Sequence, residues 1–108
     1  MASMSPFIPA PRTPLAECEP GDVDLAINAI AIIRLLKPEI SIPSVSALEK
    51  LRKGGQILGL LAGANVLTVN FTQEAYRSRY EIYGSGRFVV TTDHVRRVAE
   101  AAKMPVTL

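Results

Sequence analysis

The chain has 108 residues, enough for one domain with a core of its own. Nearly half are apolar, yet Trp is absent and Phe and Tyr number three each, so that core must come from Ile, Leu, Val and Ala. A formal charge of +2 with both signs interspersed forms neither a basic stripe for nucleic acid nor an acidic tail.

Two further function classes are excluded in the same way. The lone Cys18 permits no internal disulfide and no thiolate metal cluster within the chain, and such cysteine usage fits a reducing cytoplasm. The longest apolar stretch, Ala29 to Ile33, is far short of the ~20 residues of a bilayer crossing, so no membrane partner is expected.

Met4 to Ile8 is short, apolar and interrupted by Pro6, which restricts it to a terminal or edge strand. From Pro9 to Gly21 the density of proline rules out helix and predicts a long ordered loop. Asp22 then caps a helix over "VDLAINAIAIIRLLK", which stops before Pro38. Its polar residues Asp24 and Asn28 share one narrow arc, so a helix apolar over most of its circumference should be covered on more than one side. "EISIPSVS" reads as a strand, and Ser46-Ala47-Leu48-Glu49 has the spacing of a capping box opening a second helix. Gly54-Gly55 breaks that helix, "QILGLLAGA" resumes it with Gly63 as a C-terminal cap, and "NVLTVNFT" is the clearest strand. "TQEAYRSRYEIYG" reads as an extended helical segment, "RFVVTT" as a last strand, and "DHVRRVAEAAK" as a terminal helix capped by Thr92 or Asp93, with Val95, Val98, Ala99 and Ala102 on one face. Strands alternating with helices at this spacing predict an α/β fold with parallel pairing through crossover helices.

"SPFIPAPRTPL", "ILGLLAGANVLTVNFT" and "YEIYGSGRFVV" together resemble the closing part of radical SAM enzymes of the biotin-synthase and hydrogenase-maturation kind. The resemblance spans Met4 to about Val90 and rests on order, spacing and the Thr13-Pro14-Leu15 and Gly63-Ala64-Asn65 triplets. It implies that residues 1–108 form a single biotin- and thiamin-synthesis-associated domain: the C-terminal β/α units of a TIM-type radical SAM barrel, plus a C-terminal extension. Such a domain closes the barrel and shapes its substrate cavity. The family's [4Fe–4S] cluster is held by three cysteines in a CxxxCxxC loop and reduces S-adenosylmethionine to a 5′-deoxyadenosyl radical. With Cys18 alone, this chain is expected to carry neither group by itself and to be inactive in isolation, its partner being the N-terminal part of the barrel.

Sites on parallel barrels form at the carboxyl ends of strands, here Ile8-Pro9, Ser44 to Ser46 and Asn70 to Thr72. Aligned on Thr13-Pro14-Leu15, the resemblance implies that Ile8, with Phe7 beside it, contacts the adenine of S-adenosylmethionine. It implies likewise that Ser5, Ser44, Ser46 and Asn70 face a small-molecule substrate in the parent enzyme. Biotin synthase places an Arg on the second of these strands as ligand of an auxiliary [2Fe–2S] cluster. "ISIPSVS" has none, which implies no sulfur-donating role, and the small hydroxyl residues of the hydrogenase-maturation relatives match Val45-Ser46 better.

Plainer readings stand beside these. Cys18 reads as a loop thiol, and His94, in the first turn of an amphipathic helix, as a solvated surface residue. Gly84-Ser85-Gly86 reads as a turn, because the pattern of a phosphate loop between strand and helix is missing. Arg77, Arg79, Arg96 and Arg97 read as solvated charges or as partners of the missing half. Ser44, Ser46 and Asn70 could equally satisfy backbone groups at strand ends. A barrel fragment would also expose strand edges and the apolar helix, which predicts a homodimer or a packing altered from that of the parent barrel. The alternative to an enzyme fragment is a separate small α/β module that binds a ligand or partner without cluster chemistry.

Overall fold

The protein is described here from a computed structural model, which covers residues 1–77, 79 and 88–107. Among these residues five helices occur in chain order: α1 (Val23–Leu36), α2 (Ser46–Leu51), α3 (Gly55–Leu61), α4 (Glu74–Arg77) and α5 (Thr92–Ala101). None is long and apolar enough to cross a membrane.

The α/β architecture of parallel strands with crossover helices, expected of a barrel, is not what the described residues form. They contain no sheet, and the only strand-like pairing among them is one isolated parallel bridge, Pro43 to Val66. The hydrogen bonds show why the ladder stops there. The N–H groups of Asn65 and Val66 both donate to the Ile42 carbonyl, at 2.8 and 3.2 Å, and Ser44 N–H donates to the Val66 carbonyl at 2.9 Å. Pro43 has no N–H, and Ile42 N–H donates to the side-chain Oδ1 of Asn65 at 2.8 Å rather than to a strand carbonyl. On the C-terminal side α2 begins at Ser46. The other extended segments are tied by single bonds, Ala2 N–H to Ser41 O at 3.0 Å and Asn70 N–H to Val90 O at 2.9 Å. One bond per segment fixes a path but does not repeat into a ladder.

The helices follow their local chemistry. Asp22 Oδ1 accepts from the N–H groups of Asp24 (2.7 Å) and Leu25 (3.3 Å), so α1 starts where its acidic cap stands, and it ends one residue short of Lys37. Pro9 to Gly21 holds no helix; residues 11–18 form turns, and the loop is tied back by Gly21 N–H to Phe7 O at 2.8 Å. The Ser46–Glu49 capping box does not form: Val45 is the N-cap of α2 and makes no side-chain cap bond. Glu49 turns forward instead, accepting from Gly54 N–H at 2.9 Å and Gln56 N–H at 3.1 Å, so one carboxylate caps the next helix. Helix α5 starts at Thr92 because Thr91 Oγ1 accepts from His94 N–H at 3.2 Å. Of the expected "TQEAYRSRYEIYG" helix, α4 forms, Thr72 and Gln73 precede it without helical structure and Arg79 lies in a turn; the remainder, and the Gly84-Ser85-Gly86 turn, lie outside the described residues.

Helix α3 is the hub, packed against α1, α2 and α5. Val23, Ala26 and Ile30 of α1 meet Ile42, Leu48, Leu60, Ala64, Val98 and Ala102 in one core. Full burial of side chains such as Ile30, Ile42 and Leu48 stabilises the fold by about 1.5–3 kcal/mol each. Among the described residues helix α1 is covered on this one face, against the expectation of more than one, and Leu25, Ile32, Leu35 and Leu36 stand exposed. A bidentate contact from Arg52 to Asp24, at 2.5 and 3.0 Å, ties the end of α2 to α1. It holds the Asp24 carboxyl below the usual carboxylate range.

Candidate functional site

A cleft of about 450 Å³ opens between the N-terminus of α2, the extended segment 68–72 and the segment leading into α5. It is lined by Ser46, Thr68, Val69, Asn70, Phe71, Thr72, Phe88 and Val90. The Asn70 N–H to Val90 O bond fastens two of its walls together. Asn70 Oδ1 accepts from Thr72 N–H at 2.8 Å, which commits the side-chain oxygen to the local turn and leaves Nδ2 as the donor available to the cleft. The Ser46 hydroxyl, in the first turn of α2, has no hydrogen-bond partner among the described residues. With the hydroxyls of Thr68 and Thr72 the cleft offers donors and acceptors beside the apolar rings of Phe71 and Phe88. A cavity of that volume suits a small molecule held by a few polar groups against an apolar wall.

Behind Ser46 and Phe88 lies a buried polar network. Ser44, fully buried, donates from Oγ to the Gln56 carbonyl at 2.8 Å, and Gln56 Nε2 donates to the Ser44 carbonyl at 2.8 Å. The remaining Gln56 atom, Oε1, lies 2.7 Å from His94 Nε2. The His94 ring also meets Phe88 edge-on, with centroids 4.7 Å apart and planes at 67°. Gly59 makes the network possible, since a Cβ there would collide with Ser44 Oγ and crowd Leu48. Burial pushes the His94 imidazole below its ordinary value; the Glu49 carboxylate opposes that shift and the Arg97 guanidinium adds to it.

Of the residues proposed from sequence, the structure brings Ser46 and Asn70 into one cleft. Ser44 lies behind it with its hydroxyl engaged by α3. Ser5 is exposed, its hydroxyl 3.3 Å from the neighbouring Pro6 carbonyl. Ile8 is packed into the protein, whereas Phe7 is 41% exposed; none of these three lines the cleft. His94 is buried rather than solvated, because the helix starts at Thr92 and turns it onto the face of Val95 and Val98. Cys18 is an exposed free thiol, and the described residues place no group of three His, Cys, Asp or Glu where a metal could be held. Sequence reading passed over Thr68 and took Thr72 only as the end of a strand. Their signal was present, since Thr68, Asn70 and Thr72 recur every second residue and so share one face of an extended chain. Gln56 gives no such signal.

Comparison with known proteins bears on what the cleft serves. The chain is 40% identical over 83 residues, 77% of its length, to the [FeFe] hydrogenase maturase subunit HydE of Thermotoga maritima. It is 35% identical over 74 residues, 60% of its length, to the biotin synthase of Bordetella avium. The chain belongs to the biotin-synthase-like and HydE-like radical SAM enzymes. The matches take in 24% and 23% of those two proteins, so this radical SAM chain spans about a quarter of the length of the curated relatives it matches. No protein-family model matches it.

Radical SAM enzymes use S-adenosylmethionine and a [4Fe–4S] cluster. The cluster needs three thiolates, and a sequence with Cys18 alone cannot hold it, so no step through it is assigned to this chain. The ring of Phe7 is half-exposed and presents an apolar face on which a planar group could stack.

Proposed function

We propose that residues 1–108 act as one domain, the substrate-facing part of a larger cytoplasmic radical SAM enzyme, and are inactive in isolation. The rest of that enzyme would hold the cluster and most of S-adenosylmethionine, which supply the radical chemistry when bound. This domain would contribute the cleft in which a small polar substrate is oriented. Ser46 and Asn70 are the substrate contacts, with Thr68 and Thr72 beside them; Ser44 supports the wall from behind. Phe7 and Ile8 form the side toward the adenine, and Ser5 lies next to that side in sequence. The substrate class follows from the lining. A molecule with carbonyl, carboxylate or hydroxyl oxygens can accept from Asn70 Nδ2 and the hydroxyls, while its carbon skeleton packs on Phe71 and Phe88.

The observation that carries this reading is the convergence of Ser46, Thr68, Asn70 and Thr72 on one cleft in a chain homologous to HydE and biotin synthase. The test is to produce the whole reading frame that contains this chain under anaerobic conditions and to measure cluster absorbance and 5′-deoxyadenosine formation. Cluster and cleavage are expected in the whole protein and not in residues 1–108 alone. A whole protein that binds no cluster and cleaves no S-adenosylmethionine overturns the reading.

A further inference from the structure

Three observations join the candidate cleft to a ring that does not line it. The Gln56 side-chain amide can sit only one way, because its Nε2 donates to the Ser44 carbonyl and its Oε1 therefore faces His94 as an acceptor. His94 Nε2 must then carry the hydrogen, which fixes the tautomer and leaves Nδ1 bare. The same ring packs edge-on against Phe88, a wall of the cleft.

We propose that His94 is a positioning residue of the cleft: as a neutral Nε2–H donor it holds Phe88 directly and, through Gln56 and Ser44, the chain entering α2 with Ser46. This rests on the reading of the cleft as the substrate site. Protonating Nδ1 would create a second donor, and His94 makes no hydrogen bond at that atom among the described residues.

The charges around the ring decide whether such a cation could be tolerated. Among the described residues Glu49 of α2 is the carboxylate that favours it, but both its oxygens already accept N–H groups, from Gly54 and Gln56. Arg97, one turn along α5, repels it. Lys53, from the turn between α2 and α3, lines the same outer face. Asp93 precedes His94 but pairs outward with Arg96 at 3.7 Å. The ring also stands in the first turn of α5, where the helix dipole disfavours a positive charge. A charged His94 keeps its Nε2–H donor to Gln56 but sets a cation beside Arg97 and at the start of α5, so the ring shifts against Phe88 and Gln56, and both cleft walls feel the change.

The experiment is a pH titration of the 108-residue chain by ¹⁵N NMR. It reads the His94 ring nitrogens together with the backbone amides of Ser46, Asn70 and Thr72. The Nε2–H tautomer is expected at neutral pH, and the three amide shifts should move with the midpoint of the His94 ring. In His94→Gln, whose side-chain amide can still donate but cannot titrate, that component should vanish while the amides stay near their neutral-pH positions. An Nδ1–H tautomer, or cleft amides that stay still while His94 titrates, overturns the proposal on the wild-type chain alone, even should the variant fail to fold. Cleft amides that follow pH equally in His94→Gln overturn it as well. A cleft that answers to His94 in a whole enzyme without radical chemistry would refute the substrate reading and leave this coupling standing.

Discussion

Arg34 on α1 donates from Nε to the Gly63 carbonyl at 2.8 Å and lies against the one side of Gly63 where a Cβ would stand. The guanidinium also donates from Nη1 to the Pro38 carbonyl at 2.6 Å, so one side chain binds the end of α1 to the turn that leads into Asn65 and Val66. Gly63 has φ +117°, outside the range of L side chains, and an added Cβ would come within 2.8 Å of Arg34 Cβ and Cγ.

Gly63→Ala is therefore expected to be destabilising on two counts, backbone strain of about 1–2 kcal/mol and overpacking of about 1–3 kcal/mol. Urea denaturation of the two chains checks it through the shift in midpoint at constant slope. A variant as stable as the parent would mean that the Arg34 contact is not formed.

Gly63 and α1 show what could be read from sequence. Asp22, the apolar run and Pro38 are local signals, and the helix they predict appears within a residue at its C-terminal end. Gly63 as a helix C-cap is local too. That the expected parallel sheet does not form among the described residues was not legible, because alternation in "NVLTVNFT" reports an extended chain and not its partner. That partner depends on Asn65, whose side chain takes the Ile42 N–H that a neighbouring strand would have used. The buried place of His94 and the contact of Ser44 to α3 share one physical reason for not being legible: each is set by Gln56, a residue 38 and 12 positions away from them, and no local pattern announces such a contact. Ser46 and Asn70, which line one cleft, stand at the ends of extended segments, where the chain turns and exposes its polar groups.

The pH dependence of stability follows from His94. Its folded value lies below the ordinary 6.5, chiefly through burial, so between the two values the unfolded chain binds more protons. Stability is complete above about pH 6.5 and falls as pH drops toward the folded value. Urea midpoints at about pH 7.5 and about pH 5 should differ in the wild type and differ less in His94→Gln. Equal loss in both chains would assign the acid sensitivity elsewhere.

Leu25, Ile32 and Leu36, at 69, 56 and 71% exposure, form one stripe along α1, with Leu35 beside it at 81%. An exposed apolar stripe of this kind recruits a second surface. The isolated chain is expected to self-associate, and Ile32→Lys to weaken that association about tenfold or more, given roughly 1.5–3 kcal/mol for each such side chain buried. Sedimentation velocity over a concentration series decides it. A monomer at all concentrations, or unchanged association in the variant, contradicts the expectation.

The division between a cofactor side at Phe7 and a substrate side at Ser46 and Asn70 is the central claim, and binding of S-adenosylmethionine to the whole enzyme in single variants tests it most directly. Phe7→Ala should weaken that binding by about 1.5–3 kcal/mol, roughly 12- to 160-fold in Kd, because the ring is expected to be buried against the adenine. Ser46→Ala and Asn70→Ala should leave cofactor binding and substrate-free cleavage unchanged, and should reduce only the response to substrate. Full cofactor affinity in Phe7→Ala, together with its loss in Ser46→Ala, would contradict the account.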